Sequence, residues 1–313
     1  MPVYNEEPYV AQSIGSLLEQ DYRNFELIVA DNASTDRTPQ IISQLAAKDR
    51  RIALHVSDRN LGSLANFEKV LRLSRGKYFM FASGHDLWQP NFISRAVDVL
   101  EENQEVILSA PGVVIVDKTG RTLTRINGNL DTRNTPPKER FSQAMRWGAP
   151  YHFLAYGLVR SDALRKQKWR RDVLCSDVIL IAELSLEGAF LQAQGTTLFS
   201  MLNHPKMSWV DSYYSAFARL GLPSKTVPPN ASRYLALTDA VWHSRLDLSA
   251  RISLILDVWL MDIKQLPSNT VYDVIYMLFD AKVANRLEKV IEIAAQRLRS
   301  TRLVNRIAGA GTS

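Results

Sequence analysis

Cysteine is nearly absent from the sequence, since Cys175 is the only one among 313 residues. A single cysteine forms no disulfide within the chain and builds no cysteine-based zinc site. The opening residues 1–7 also lack the basic start, apolar core and cleavage site of a secretory signal. Both absences predict a protein of the reducing cytoplasm.

The motifs of several large enzyme classes are missing as well. There is no G-x-G-x-x-G, and Gly76-Lys77 lacks both the upstream glycine and the following Ser or Thr of a P-loop. This argues against NAD-dependent enzymes and NTPases. Neither G-x-S-x-G nor H-E-x-x-H occurs, so no motif in the sequence supports a serine hydrolase or a zinc metalloprotease.

Long apolar runs and strong charge are also lacking. The apolar stretch at residues 252–263 is interrupted by Asp257 and Asp262 and is too short to span a bilayer, although an interfacial helix remains open. Lysine and arginine exceed aspartate and glutamate by 38 to 32, a net charge of +6. The densest basic run, residues 165–171, has no second stripe beside it, so we expect no nucleic-acid partner. Weak attraction to an anionic membrane or to a phosphorylated ligand fits the charge equally well.

Short apolar strands alternate with amphipathic helices in the first part of the chain. Runs rich in β-forming residues at 25–31, 51–57 and 77–83 predict strands, and helical spacing after Pro39 and over residues 64–73 predicts helices between them. Strands that alternate with helices pair in parallel, so we expect an α/β fold with a mostly parallel sheet flanked by helices. Polar loops follow these strands at residues 31–36, 57–62 and 83–88. Because ligands bind where loops leave the carboxyl ends of such strands, all three loops are expected on one rim.

The later elements divide the chain into two regions. Helices are predicted at residues 92–100 and 176–186, strands at 106–116, 151–160 and 190–202, and a mobile loop at 128–138. After Pro228 the pattern becomes helical, with helices near residues 231–246, 249–264 and 270–304. We therefore expect a catalytic domain at residues 1–210 and a C-terminal helical region at residues 211–313.

Two of the acids in these polar loops are candidates for ligand binding. Asp31 ends the first apolar strand and is suited to accept hydrogen bonds from a ribose or a pyrimidine, although a turn-forming or capping aspartate has the same pattern. Asp86 follows the 77–83 strand and is suited to hold a divalent metal on a diphosphate, whereas an ordinary loop acid is the alternative. Gly84 would let the backbone come close to a ligand.

Taken in order, several short motifs resemble those of the family 2 glycosyltransferases, which are inverting enzymes with a Rossmann-like GT-A fold. The matching segments are Pro2-Val3-Tyr4-Asn5-Glu6-Glu7, Leu27 to Asp36, Arg59-Asn60-Leu61-Gly62, Gly76-Lys77-Tyr78, Ser83 to Trp88, Tyr156 to Arg160 and Ser176-Asp177. The resemblance implies that a nucleotide-sugar is bound by residues of the first rim loops: Pro2, Val3, Tyr4, Glu6, Asp31, Asn60, Gly62, His85 and Asp86.

The resemblance also implies the catalytic base and the metal ligands. Asp177, at a predicted helix start, corresponds to the acid that takes a proton from the acceptor hydroxyl, although a helix-capping acid is the alternative. Asp86 and His204 are the implied ligands of a divalent metal, Mn or Mg, and a structural role for His204 remains open. Relatives carry two or three acids in the metal loop, whereas here Asp86 is alone and His85 stands beside it.

A second departure concerns the start of the sequence. Relatives have an apolar strand just before the segment that matches Pro2 to Glu7, so the first strand of the predicted sheet is apparently lacking here. We expect such a gap to leave neighbouring strands with unpaired backbone groups, as in a truncated chain or in one whose start is misassigned.

The most specific hypothesis is an inverting glycosyltransferase that uses a UDP-type sugar donor in the synthesis of a bacterial-type polysaccharide. A glycan or lipid-linked acceptor would be met at the inner face of the membrane. The C-terminal helices, with Trp242, Leu254, Trp259 and Leu260, would rest on lipid, pack on a partner subunit or pack on the catalytic domain. The alternative is a catalytically degenerate binding or scaffolding module. A nucleotidyltransferase fits less well, because Asn5-Glu6-Glu7 stands where a glycine-rich basic loop is needed.

Overall fold

A computed structural model describes residues 1–126, 129–146, 149–168, 173, 176–201 and 229–260. Its α/β architecture confirms the expected fold class, with helices covering two sheets. Of the expected sites, His204 lies outside the described residues, as do the helix expected at residues 270–304 and most of the boundary between the two expected domains.

The first sheet is parallel and has the order β1-β2-β3. Its strands and the helices between them are β1 (Pro2–Val3), α1 (Val10–Leu18), β2 (Leu27–Asp31), α2 (Thr38–Ala46), β3 (Ile52–Val56) and α3 (Ser63–Leu73). Every residue of β2 is buried, as expected of a central strand of a parallel sheet. Strand β1 pairs with β2 through two residues only, Pro2 opposite Ala30 and Val3 opposite Asp31.

The second sheet is mixed and has the order β4-β8-β6-β9-β5, with β7 paired to β6. Its strands are β4 (Tyr78–Met80), β5 (Leu87–Trp88), β6 (Val106–Val116), β7 (Thr122–Ile126), β8 (Leu158–Arg160) and β9 (Ala189–Met201). Strands β6 and β9 are parallel, and the other pairs in this sheet are antiparallel. Within the described residues no strand joins the two sheets.

Helices pack on the sheets and form two apolar cores with them. The remaining helices are α4 (Phe92–Glu102), α5 (Pro137–Arg146), a 3-10 helix (Ala149–Tyr156), α6 (Ser161–Arg165), α7 (Ser176–Glu187), α8 (Pro229–Trp242) and a helix over residues 248–260. One core gathers Ile28, Phe79 and residues of α5 and α7. The other gathers Leu27, Val29 and residues of α1 and α4, so successive side chains of β2 point into different cores.

Two sequence expectations were wrong in detail. Residues 151–156 were expected in a strand but lie in the 3-10 helix, because a short apolar run does not distinguish the two. Strand β7 was not expected at all, since its side chains are mostly exposed and carry no apolar alternation. The predicted loop at residues 128–138 is shorter in the structure, because α5 already begins at Pro137.

The described C-terminal helices pack against the α/β body. Tyr234, Leu237 and Leu254 are buried in the core that also contains α7 residues, so the idea that Leu254 faces lipid is wrong. Trp242 and Leu260 are about half exposed. Among the described residues, no helix combines the length and hydrophobicity that a membrane span requires.

Candidate active site

The loop after β2 closes on Asp31. This side chain is fully buried, and its two carboxylate oxygens accept the backbone N–H and the hydroxyl of Ser34, the former at 3.0 Å. The local turn needs a left-handed residue, which is Ala33 with φ 60°. Asp31 is therefore a turn-forming acid at the end of a buried strand, held in one orientation.

The loop after β1 is bonded to the loop after β2. The backbone N–H of Asn5 donates to Ser34 Oγ at 2.9 Å, and the backbone N–H of Thr35 donates to Asn5 Oδ1 at 2.8 Å. Asn5 is also left-handed, with φ 55°. We call these two reciprocal bonds the Asn5 staple. The adjacent Tyr4 is exposed, while Pro2 and Val3 are fixed in β1.

Asn60 and Gly62 belong to a third loop on the same rim. Asn60 Oδ1 accepts hydrogen bonds from Asn32 Nδ2 and from the backbone N–H of Gly62, each at 2.9 Å. Gly62 has φ 85°, a conformation that disfavours residues with a Cβ. The loops after β2 and β3 are thus joined by side-chain amides, and Asn66 Nδ2 adds a bond to the Ala30 carbonyl at 2.8 Å.

Glu6 connects the first rim loop to the loop that contains Asp86. Glu6 Oε1 lies 3.0 Å from His85 Nδ1, and both side chains are mostly buried. Burial by itself lowers the pKa of His85, but the hydrogen bond and charge of Glu6, with the charge of Asp86, outweigh it and raise that pKa above its usual value. Gly84 makes this contact possible, because a Cβ at this position would lie 2.8 Å from Glu6 Cγ.

Asp86 is 1% exposed and firmly held. Its Oδ1 accepts the backbone N–H of Met201 at 2.9 Å, and its own backbone N–H donates to Ser83 Oγ at 3.1 Å. The Ser83 carbonyl in turn accepts the hydroxyl of Ser13, from α1, at 2.8 Å. The end of β9 and helix α1 therefore both fix the Asp86 loop.

The electrostatic surroundings of Tyr156 indicate where Asp177, the remaining candidate acid, lies. Burial raises the pKa of the Tyr156 phenol, and nearby negative charges raise it further. Those charges belong to Asp86, Asp177 and Glu6. Carboxylates from three separate segments, far apart in sequence, are therefore close enough to one phenol to act on it electrostatically. Asp177 lies in the first turn of α7.

The predicted residues fall into two connected groups. Asp31, Asn60 and Gly62 form the outer loops of the rim, and Glu6, His85, Asp86 and Asp177 lie near Tyr156. Sequence reasoning did not select Tyr156 as a site residue, although it belongs to one of the matching motifs. The signal available in the sequence was its place at the start of the matching segment Tyr156 to Arg160.

Two side chains near Asp86, its own carboxylate and the His85 ring, are of the types that bind divalent metals. No group of three or more His, Cys, Asp or Glu side chains arranged for a metal ion occurs in the described ranges. Asp86 still has a second carboxylate oxygen besides the one bonded to Met201. A His ring that engages a carboxylate through one nitrogen, as His85 engages Glu6, has the arrangement typical of metal-binding histidines. The donor set therefore fits Mn²⁺, with diphosphate oxygens and water as further ligands.

Comparisons with known proteins show the family of the chain. The family model described as Glycosyl transferase family 2 matches residues 1–167, more than half of the 313 residues. An uncharacterized glycosyltransferase of Methanocaldococcus jannaschii is 28% identical over 180 residues, which cover 56% of this chain and 59% of that protein. An uncharacterized glycosyltransferase of Haemophilus influenzae is 35% identical over 107 residues, 34% of this chain and 43% of that protein. The matches thus span less than two thirds of these relatives.

A solved structure shares the fold. The crystal structure of S. aureus TarS 1–349 in complex with UDP superposes with a TM-score of 0.60 and 15% identity, covering 87% of this chain and 72% of that one. At this identity the likeness concerns the fold alone. The family model covers the rim loops after β1, β2 and β3, the Asp86 loop and Tyr156, which are the segments that build most of the site. The chain belongs to glycosyl transferase family 2.

Proposed function

We propose that this chain is an inverting glycosyltransferase that moves a sugar from a nucleotide-diphosphate donor to a hydroxyl group of an acceptor. The observation that carries the proposal is that the carboxylates of Glu6, Asp86 and Asp177 all raise the pKa of the buried Tyr156 phenol through their charge. One of them begins a helix and the others lie in rim loops, so a base and a phosphate-side group are available in the same region. Membership of the family supports the same reaction class.

Asp177 is the proposed base. It takes the proton from the acceptor hydroxyl while the hydroxyl oxygen forms a bond to the anomeric carbon of the donor. The bond between that carbon and the diphosphate oxygen breaks, and the nucleoside diphosphate leaves with the bonding electrons. Because one displacement occurs on one carbon, the anomeric configuration of the sugar is inverted.

The rim loops are the proposed donor site. Asp31, Asn60 and Gly62, with Pro2, Val3 and Tyr4, would contact the nucleoside, and UDP is the first candidate because the similar TarS structure contains UDP. Glu6, His85 and Asp86 would lie on the diphosphate side. A divalent metal held by Asp86 and His85, together with His204 if that residue reaches the site, would neutralise the charge of the departing diphosphate.

The acceptor is proposed to be a glycan or a lipid-linked glycan met at the cytoplasmic side of a membrane. The support comes from exposed apolar side chains on the C-terminal helices: Leu235, Trp242, Leu248, Ile252, Leu256 and Leu260. Such a stripe is suited to the interfacial region of a bilayer. Co-sedimentation with anionic vesicles should be lost when Ile252 and Leu256 are replaced by serine, and sedimentation that does not change would contradict this part of the proposal.

The experiment that tests the reaction is Asp177→Asn. The donor is first chosen from a panel of UDP-, GDP- and dTDP-sugars as the one that stabilises the protein in a thermal melt. With that donor, we expect the rate of sugar transfer by the variant to fall by about 10²–10⁴-fold, while its affinity for the donor is unchanged. Asp162→Asn is the matched control, because Asp162 also lies in the first turn of a helix, α6. Full transfer by the Asp177 variant would refute the assignment, and donor binding without transfer by the parent protein would favour a binding module.

A further inference from the structure

Helix α1 carries a row of polar side chains that faces the segment containing Asp86. Ser13, Ser16 and Gln20 follow one another at spacings of three and four residues, which places them on one side of α1 and just beyond its end. We call these three residues the α1 polar row. Ser13 and Gln20 are fully buried, and buried polar groups require hydrogen-bond partners. Each member of the row has such a partner in residues 83–93.

The first two members of the row hold the backbone on both sides of Asp86. Ser13 Oγ donates to the Ser83 carbonyl at 2.8 Å, before the acid. The backbone N–H of Trp88 donates to Ser16 Oγ at 3.3 Å, after the acid. The loop is therefore attached to α1 at two points, while the Asp86 side chain itself is bonded to the end of β9.

Gln20 fixes the far end of the same segment, where α4 begins. Its Nε2 donates to the Gln89 carbonyl at 2.7 Å, and its Oε1 accepts the backbone N–H of Ile93 at 2.9 Å. The first backbone N–H groups of a helix have no partner within that helix, and the side chain of Asn91, at the start of α4, makes no capping bond. Gln20 thus supplies from α1 a cap that Asn91 does not provide.

Helix α1 also begins at the residue that contacts His85. The Glu6 carbonyl accepts the backbone N–H groups of Tyr9 and Val10, each at 2.9 Å, so Glu6 lies at the first turn of α1. One helix therefore connects the backbone of Glu6 with the backbone around Asp86. Through this connection the row also supports the contact between Glu6 and His85.

We propose that Ser13, Ser16 and Gln20 are positioning residues of the transfer reaction, because they hold Asp86 in one place before a donor binds. The inference rests on the proposed function, in which Asp86 lies on the diphosphate side. Groups that stabilise a departing charge act best when their positions are fixed in advance, because they then need no reorganisation during the reaction. The row acts through the backbone of residues 83–93 and needs no contact with the donor.

The test compares two buried serines that bond the two ends of the segment containing β4. Ser13→Ala removes the bond to the Ser83 carbonyl, after β4. Ser161→Ala, the matched control, removes the bond from Ser161 Oγ to the Gly76 carbonyl at 2.7 Å, before β4. Since each variant loses one buried hydroxyl–carbonyl bond, we expect both to fold and to lower the thermal midpoint by similar amounts, about 2–4 °C.

Hydrogen exchange without any ligand separates positioning from a loss of stability. In Ser13→Ala, the backbone N–H of Asp86 and that of Met201, which donates to Asp86 Oδ1, should exchange about fivefold faster than in the parent protein. In Ser161→Ala both should exchange as in the parent protein. Faster exchange of these two amides in both variants, or in neither, would overturn the proposal.

Donor binding gives the second readout. The Mn²⁺-dependent gain in affinity for the nucleotide-sugar, measured by calorimetry, should fall by about tenfold in Ser13→Ala and stay unchanged in Ser161→Ala. Gln20→Met, which keeps the length of the side chain but neither bond of its amide, should show the same loss. In the Asp86→Asn background the two row variants should cause no further loss, since the row acts through that acid.

An unchanged gain in both row variants would overturn the proposal. A parent protein that binds no donor, or that shows no such gain, would contradict the proposed function instead. The exchange of the Asp86 and Met201 amides would then still decide whether the row holds the Asp86 loop.

Discussion

Glu6 and His85 are in contact across 79 positions of sequence, with Glu6 Oε1 3.0 Å from His85 Nδ1. The contact ties the loop after β1 to the loop of Asp86. Gly84 packs directly against Glu6 and has no room for a side chain. The geometry of the proposed diphosphate side thus depends on a glycine, a glutamate and a histidine that act together.

The first prediction concerns Gly84→Ala. The added Cβ would lie 2.8 Å from Glu6 Cγ, so Glu6 must move and its bond to His85 is expected to weaken. We expect a loss of about 1–2 kcal/mol in unfolding free energy and weaker nucleotide-sugar binding, measured by thermal melts and calorimetry. Gly15→Ala is the control: no atom lies within 4 Å of its added Cβ, and in helix α1 it should stabilise by about 0.5–1 kcal/mol.

The second prediction concerns the charge of Glu6. Glu6→Gln removes the charge that raises the pKa of His85, so that pKa should fall, as followed by NMR of the ring protons across a pH titration. Because the folded pKa is raised, protonated His85 stabilises the fold below its unfolded pKa, and this stabilisation is lost as pH rises through the folded pKa. In the variant, the loss should move to lower pH.

Glu7→Gln is the matched control for that measurement. Glu7 is the next residue and pairs with Arg37 at 2.8 Å on the surface, not with His85. Its replacement should leave the pKa of His85 as it is in the parent protein. A His85 pKa that is the same in the Glu6 variant would show that the contact is not electrostatically important.

The third prediction concerns the metal. Asp86→Asn keeps an oxygen that can accept the Met201 N–H, so the fold should persist, but one carboxylate ligand is lost. We expect the Mn²⁺-dependent gain in nucleotide affinity to fall by about tenfold or more, measured by calorimetry with and without the ion. Asp98→Asn, on the exposed face of α4, should change nothing. If Mn²⁺ acts equally on the parent and the Asp86 variant, Asp86 is not a ligand.

The fold was predictable where a local sequence pattern is compatible with only one type of secondary structure. The all-apolar run before Asp31 marked a buried strand, and the amphipathic spacing after Ser176 marked helix α7. The apolar residues 151–156 were misjudged because packing, which the sequence does not display, selects the 3-10 helix. Strand β7 gave no signal, since its exposed residues are held by pairing with β6.

The contacts of the candidate site residues were not predictable from the sequence. Asp31 and Asp86 were selected from their places at strand ends, and Asp177 was selected from the resemblance to the family. The pairing of Glu6 with His85 depends on how two distant loops fold over Gly84, and no spacing in the sequence encodes it. Tyr156 was missed for the same reason, because only the folded chain brings three carboxylates to its phenol.

The Asn5 staple has a consequence for how a donor would enter. Two left-handed residues, Asn5 and Ala33, stand in loops that the reciprocal bonds already lock to each other across the rim. The entropic cost of ordering these loops has therefore been met during folding. We therefore expect a nucleoside to bind here to loops that are already ordered. Differences in affinity among nucleotides should appear mainly in their dissociation rates.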